Sequence, residues 1–296
     1  MFNYDYLEAS PLIVRQADSI DFWLIGAGGT GSWLSYHIAR LARSLSKSGK
    51  KVQFAIADPD RVEFANISRQ AFCDKEIGLP KALVLALRYS IAWGVDTTAF
   101  VQEFDPKLIR YAYDKLTILV GCVDTAAGRA AINQALELNQ FYSRSEIPRV
   151  WYLDCGNHAA AGQILLGSSL ETEPEFYNFG GPGCATLPSP VFLAPDILKP
   201  KPEKLTNNLF RAEMAMLNLQ SESVNIRAAN YLYGWLRVIS KSLLPILIWR
   251  LDSAIALHYS AIGMGISKSY CKLDNNTMLT RPGIVLKNMT LSCYYC

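Results

Sequence analysis

The stretch "AIADPDRVEFANISRQ", residues 55–70, closes an apolar run with Asp58 and Asp60 and then supplies Glu63, Asn66, Arg69 and Gln70. An acid at the tip of a strand suits ribose hydroxyls, whereas an amide and a guanidinium beyond it suit phosphate oxygens. Upstream, "GAGGTG" (26–31) sets Gly26, Gly28 and Gly31 in the spacing G-x-G-x-x-G, with Gly29 added. Glycines there let the backbone turn tightly and approach a phosphate, whose charge meets free N–H groups at a helix start. Such a turn serves mononucleotides and dinucleotides alike.

Two further groups narrow the chemistry. "GLPKA" places Lys81 at the start of a helix, and "LVGCVDTAAGR" (119–129) places Asp124 just past an apolar strand. A lone Arg or Lys is most often a solvated surface charge. Arg69 and Lys81, in this order beside a phosphate turn, suit a triphosphate under nucleophilic attack better than a nicotinamide ring. In an open parallel sheet ligands bind beyond the carboxyl ends of the strands, so Asp58 and Asp124 are expected in one crevice. Asp124 reads equally as the N-cap of the next helix or as a magnesium-holding carboxylate.

The elements that must position these groups follow a strand–helix alternation. "DFWLIG" reads as a buried strand, and Leu34, Ile38, Leu41 and Leu45 recur at helical spacing after the glycine turn. Strands are expected at 52–57, 98–104, 116–121, 150–154 and 162–167, with helices from Lys81 to about Ala92 and from Ala126 to about Asn139. This alternation predicts an α/β fold, a mostly parallel sheet with helices on both faces. Seven of the 14 prolines fall between Pro174 and Pro202, in a stretch without period that reads as a crossing loop. Helices at about 209–220 and 224–243 and short strands "AIALHY" and "SYCKL" are expected after it. The expected division is a nucleotide-binding domain over 1–168, a crossing loop over 169–208 and a C-terminal helical and β lobe over 209–296 that completes the same fold.

Composition excludes several classes. Half of the 296 residues are hydrophobic and 19% are charged, so the chain is not of the disordered type. Its net charge of +3 is small and dispersed, which argues against nucleic acid as the partner. "LLPILIW" (243–249), the longest strongly apolar segment, falls short of the roughly 20 residues that span a bilayer. The N-terminus lacks the basic start and long apolar core of a signal peptide, so the protein is expected in the cytoplasm. Seven scattered cysteines fit reduced thiols rather than a disulfide framework.

Taken together, "GAGGTG", "DPDRVEFANISRQ", "GLPKA" and "GCVDT" resemble the adenylating domain of the ThiF, MoeB and ubiquitin-activating-enzyme superfamily. More narrowly, "GAGGTGSWLSYHIARL" followed by "ADPDRVEFANISRQAF" resembles the ThiF-family member of bacterial PRTRC cassettes. The resemblance spans about residues 21–165 and loosens beyond them. It implies a Rossmann-like adenylating fold and ATP-dependent activation of the C-terminal glycine of a small ubiquitin-like protein, with magnesium, by a homodimer. A conjugating-enzyme partner belongs to the same implication. So do the residue roles: Gly26, Gly28, Gly29 and Gly31 cradle phosphates, and Asp58 binds the ribose with Asp60 beside it. Asn66, Arg69 and Lys81 contact phosphates, Gln70 supports them, and Asp124 positions magnesium. An arginine from near the N-terminus, here Arg15, also serves the site in many relatives.

Many relatives pass the adenylated partner to a cysteine in the crossing loop, where this chain has Cys184. The PRTRC type carries a cysteine shortly before the helix matching "FRAEMAMLNLQ", where this chain reads "TNNLF", so the departure bears on the thioester step and not on adenylation. Relatives often hold zinc with two C-x-x-C pairs, whereas this chain has one, Cys293 and Cys296, which is half of a tetrahedral site and predicts no zinc. Cys184 and Cys271 are the remaining candidates to complete it, Cys155 reads as a small buried hydrophobe, and His37, His158 and His258 share no ligand spacing. Two rival readings stand beside adenylation: an NAD- or FAD-binding oxidoreductase, which leaves Arg69 and Lys81 without a use, and a non-catalytic scaffold that binds ATP.

Overall fold

The computed structural model describes residues 14–110, 112, 114–141, 147–157, 161–170, 186–199, 222–241, 256–260 and 266–268. Its elements are β1 (Ser19–Ile25), α1 (Gly29–Lys47), β2 (Lys51–Ala57), α2 (Lys81–Trp93), β3 (Thr97–Phe100), β4 (Lys115–Gly121) and α3 (Ala126–Gln134). After them come β5 (Val150–Asn157), β6 (Ala161–Gly167), a short α4 (Pro190–Leu193), α5 (Glu222–Lys241), β7 (Ala256–Ser260) and β8 (Ile266–Lys268). The strands form one sheet in the order β3-β2-β1-β4-β5-β6-β7-β8.

Strands β1 to β5 run parallel, and β6, β7 and β8 add on antiparallel. From β1 the chain builds β2 and β3 to one side, then returns to lay β4 and β5 on the other. That reversal opens a crevice at the carboxyl ends of β1 and β4, the position where doubly wound sheets bind ligands.

Both sheet faces are covered, which is why the parallel strands read as unbroken apolar runs. Ile20, Phe22 and Leu24 of β1 face a core closed by α1, α2 and α5, while Trp23 and Ile25 face a second core closed by α3, Phe104 and Ile109. On α1, Leu34, Ile38, Leu41 and Leu45 point inward as their spacing predicts, none more than 2% exposed. Helix α5 returns to α1 from far along the chain, burying Val224, Ala228, Leu232 and Leu236 in the same core.

Three expectations differ from the structure in their bounds. The strand expected over 98–104 ends at Phe100, because β2, its one partner among the described residues, ends at Ala57 in the paired position; Phe104 covers the second core. The helix expected from Ala126 to Asn139 is α-helical to Gln134 and then tightens to 3₁₀ geometry over Ala135–Phe141. The tighter winding brings the Asn139 amide between two strands, donating to the carbonyls of Val150 (2.8 Å) and Ser168 (2.7 Å) and accepting from the N–H groups of Arg149 and Val150. Finally, part of the expected crossing loop is helical: Ser189 caps α4, Pro190 occupies its first turn, and Pro195–Leu198 form a 3₁₀ turn. Proline costs nothing at a first turn, where its missing N–H has no intrahelical partner to lose. The helix expected at 209–220 and the strand "SYCKL" lie outside the described residues.

Candidate nucleotide site

The site is built where β1 meets α1. Gly26 has φ +91°, in the left-handed region, and a Cβ there would lie 2.7 Å from the Cys122 carbonyl oxygen. A Cβ on Gly31 would sit 1.9 Å from the Gly26 carbonyl oxygen, so the first turn of α1 packs directly on the strand end. Gly28 has no atom within 4 Å of its Cβ position and looks into open space. Helix α1 begins at Gly29 without a side-chain cap, and Gly28, Gly29 and Thr30 line the crevice. Uncapped first-turn amides at the head of a long helix make an anion-binding end.

Asp58, at the end of β2, braces this turn. It is 5% exposed, and its carboxylate accepts from the N–H groups of Ala27 and Asp60, the latter at 2.8 Å. Burial pushes its carboxyl above the ordinary range, and the two N–H donors and Lys81 pull the other way.

Lys81 reaches the same place by a short antiparallel return. Val62 N–H donates to Leu79, Gly78 N–H to Val62, and Lys81 N–H to Asp60, which folds the head of α2 back beside the end of β2. The Lys81 Nζ then lies 2.9 Å from Asp60 Oδ2, the ammonium buried and the carboxylate 64% exposed at the mouth of the crevice.

The loop after β2 is pinned from three directions. Asn66 caps its own turn by accepting from Glu63 N–H at 2.9 Å. Ala71 N–H donates to Ser32 Oγ, and the Arg69 carbonyl accepts from Trp33 Nε1 (3.3 Å) and from Asn225 Nδ2 of α5 (3.1 Å). The side chains of this loop are less satisfied than its backbone. Arg69 Nε and Gln70 Oε1 are buried with no hydrogen-bond partner among the described residues, and such orphans call for an explanation.

The resulting cleft is about 550 Å³. Of the candidates read from the sequence, Gly26, Gly28, Gly29, Asp58, Asp60, Asn66, Arg69, Gln70, Lys81 and Asp124 all line it. Gly31 does not, because its place is taken up in packing against Gly26. Arg15 is also absent from the lining. It precedes the amino end of β1, whereas the cleft lies at that strand's carboxyl end. Cys184, Cys271, Cys293 and Cys296 lie outside the described residues.

The ambiguity over Asp124 resolves geometrically. Thr125 is the N-cap of α3, its Oγ1 accepting from Gly128 N–H at 3.1 Å, while Asp124 stands one residue earlier, exposed in the cleft wall. We therefore expect Thr125→Ala to cost about 1 kcal/mol of stability. Asp124→Asn should cost about 0.5 kcal/mol, through the helix dipole alone. Urea denaturation reads the ranking, and the reverse order would make Asp124 the cap.

No group of three or more His, Cys, Asp or Glu side chains disposed to hold a metal occurs among the described residues. A single carboxylate suffices for a magnesium ion that arrives on phosphates, since such ions keep several waters and take one or two protein ligands. Asp124 fits that requirement.

Two residues at or behind the cleft escaped sequence reasoning, Arg129 in its lining and Asn225 behind the glycine turn. Arg129 is 5% exposed at the cleft base, its Nε 3.1 Å from Asp154 Oδ1, which also accepts from the Tyr152 hydroxyl at 2.7 Å. Its signal was present, one turn past Asp124 in the quoted "VDTAAGR" segment. Asn225 had no local signal, since the loop residue it binds lies 156 positions earlier in the chain.

Comparisons with known proteins agree with this architecture. The ThiF family model matches residues 13–143. The NEDD8-activating enzyme E1 catalytic subunit of Saccharomyces cerevisiae is 29% identical over 143 residues, 48% of this chain and 45% of that protein, so the chain spans less than half the length of that relative. Among solved structures, Escherichia coli MccB with AMPCPP and MccA superposes with a TM-score of 0.50 at 14% identity, over 90% of this chain and 65% of that one. PaaA gives 0.48 at 15% identity, with the same coverage. The MccB likeness concerns the fold, a mostly parallel sheet with helices on both faces. The segment that the ThiF family model matches, 13–143, is the one that holds the glycine turn, Asp58, Arg69, Lys81 and Asp124.

Proposed function

We propose that the chain binds ATP in this cleft and adenylates the C-terminal glycine carboxylate of a ubiquitin-like protein. The observation that carries the reading is convergence: Arg69 and Lys81, from separate segments, line one cleft with an uncapped helix start and an exposed carboxylate. The buried, acceptor-free Nε of Arg69 supports it, because a phosphate oxygen is the partner such a donor lacks. The yeast relative is named as activating NEDD8, and the MccB structure holds AMPCPP.

In the proposed step a carboxylate oxygen of the partner attacks the α-phosphorus, the new O–P bond forms, and the bond to the leaving pyrophosphate breaks. No proton moves, because the nucleophile is already ionised. Two anions must be brought together, so the burden falls on charge compensation. The α1 amides and Arg69 would hold the phosphates, Lys81 would move from Asp60 to a phosphate oxygen, and Asp58 would face the ribose. Asp124 would hold magnesium, whose contribution when bound is to neutralise phosphate charge.

A subsequent thioester on Cys184, and a conjugating-enzyme partner to receive it, remain part of the proposal. The described thiols at the cleft do not suit that role: burial pushes the Cys122 thiol well up, and Cys155 is 4% exposed. Homodimerisation and membership of a PRTRC-type cassette belong to the same proposal. No helix of the described residues is long and apolar enough to cross a membrane.

ATP–pyrophosphate exchange, measured with and without a candidate ubiquitin-like partner ending in glycine, tests the reading. Exchange that requires the partner is expected. Flavin absorbance or NADH binding by the purified chain, with no ATP binding, would turn the assignment toward an oxidoreductase.

A further inference from the structure

Asn225 stands out among the buried polar groups that the proposed chemistry leaves unused. It is fully buried, on the first turn of α5. Its Nδ2 donates to the Arg69 carbonyl at 3.1 Å, and its Oδ1 accepts a long contact from Thr30 Oγ1 at 3.4 Å. The amide also presses on the glycine turn. A Cβ on Gly29 would lie 2.8 Å from both Nδ2 and Oδ1, although Gly29 has no positive φ to require glycine. One amide thus touches the phosphate turn and the loop that carries the guanidinium, from a helix that is otherwise ordinary core.

We infer that Asn225 is a positioning residue of the nucleotide site: it fixes the Arg69 main chain to the head of α1 and so sets the guanidinium against the phosphates. The inference rests on the ATP reading above. Its physical basis is that, among the described residues, the Arg69 main chain is otherwise tethered by Trp33 Nε1 and by its own turn, through the N–H it donates to the Asn66 carbonyl. A guanidinium works on a phosphate only when its backbone origin is held, because a misplacement of about 1 Å is costly to a charge-assisted contact. Glycine at position 29 is then explained by the space that the amide needs.

The test uses Asn225→Asp, which keeps the shape and replaces the donor facing Arg69 with an acceptor, and Asn225→Ala as a second variant. Binding of magnesium–ATP and of AMP is measured by titration calorimetry, with thermal denaturation run in parallel. ATP affinity is expected to fall about tenfold in Asn225→Asp, the equivalent of one hydrogen bond, while AMP affinity changes by less than about twofold, because AMP lacks the β- and γ-phosphates to which this inference assigns the guanidinium. In an Arg69→Ala background Asn225→Asp should cost no further ATP affinity, the non-additivity expected of residues acting as one unit. Gly29→Ala, damaging alone, should be partly rescued by Asn225→Ala.

Equal losses for ATP and AMP, or additive losses in the Arg69→Ala background, overturn the inference and leave the ATP reading standing. Absence of ATP binding by the unaltered chain overturns that reading, and the inference with it.

Discussion

Replacing Lys81 with methionine is expected to leave the chain folded and to lower partner-dependent ATP–pyrophosphate exchange about 100- to 1,000-fold, the scale on which a single transition-state donor acts. The two halves of this expectation have separate origins. Stability changes little because the partner of Lys81 is Asp60, whose carboxylate is 64% exposed and returns to water when the ammonium is removed. Water around the exposed carboxylate screens this half-buried pair and keeps its contribution to about 1 kcal/mol, and the methionine keeps the apolar stem packed at the buried head of α2. Activity changes greatly because the ammonium is a compact charge in the cleft wall, paired with an acid that a phosphate oxygen can replace. Arg69, by contrast, is held by its backbone. An exchange rate unchanged in Lys81→Met would remove the lysine from the chemistry. Asp60→Asn provides the converse, freeing the ammonium without deleting it, and is expected to lose far less.

The second large effect is structural. Gly31→Ala is expected to destabilise the chain by about 3 kcal/mol, the upper end for forcing atoms into packed space. That corresponds to a melting midpoint lower by about 10 °C. The added methyl would stand 1.9 Å from the Gly26 carbonyl oxygen, 3.0 Å from its carbon and 3.3 Å from Cys122 Cβ. Two of these atoms are backbone, so no rotamer change relieves the clash. Helix α1 would have to lift from the sheet, yet Leu34, Ile38, Leu41 and Leu45 hold it down. Gly28→Ala is the matched control. Its methyl meets nothing within 4 Å, so the fold is expected to tolerate it while ATP affinity falls, because the methyl projects where a phosphate would approach. Equal thermal losses in the two variants would contradict this division of labour between the glycines.

These contrasts show what was legible in the sequence. The parallel strands were, because burial on both faces forces continuous apolar runs at regular intervals between helical patterns. The head of each cleft-facing element was legible too, since a glycine turn, a strand-end acid and a helix-start lysine are local patterns. What the spacing did not reveal is how Lys81 comes back to Asp60: that depends on a short antiparallel pairing of residues 61–62 with 78–80, too brief to leave a periodic signal. The end of β3 was misjudged because an edge strand stops where its only neighbour stops, a property of pairing and not of composition. Asn225 was invisible for a related reason. A single asparagine in an amphipathic helix announces nothing until the helix is seen to dock on the glycine turn.

The two cleft-lining aspartates differ in what else they hold. Asp58 was read as a ribose ligand, and its carboxylate is also a structural clasp, tied to Ala27 and Asp60 N–H groups. Substituting it therefore loosens the turn as well as the site. Asp124 is free of that double duty, since Thr125 caps the helix, which makes Asp124 the cleaner probe of the proposed magnesium site.

The central claim is that one cleft beyond β1, β2 and β4 takes the phosphates of a single ATP. A crystal structure of the chain with magnesium and AMPCPP tests it most directly. The account predicts phosphate oxygens within about 3.2 Å of Arg69, Lys81 and the first amides of α1, at hydrogen-bonding range. A nucleotide seated elsewhere, or phosphates out of reach of both cations, would contradict it.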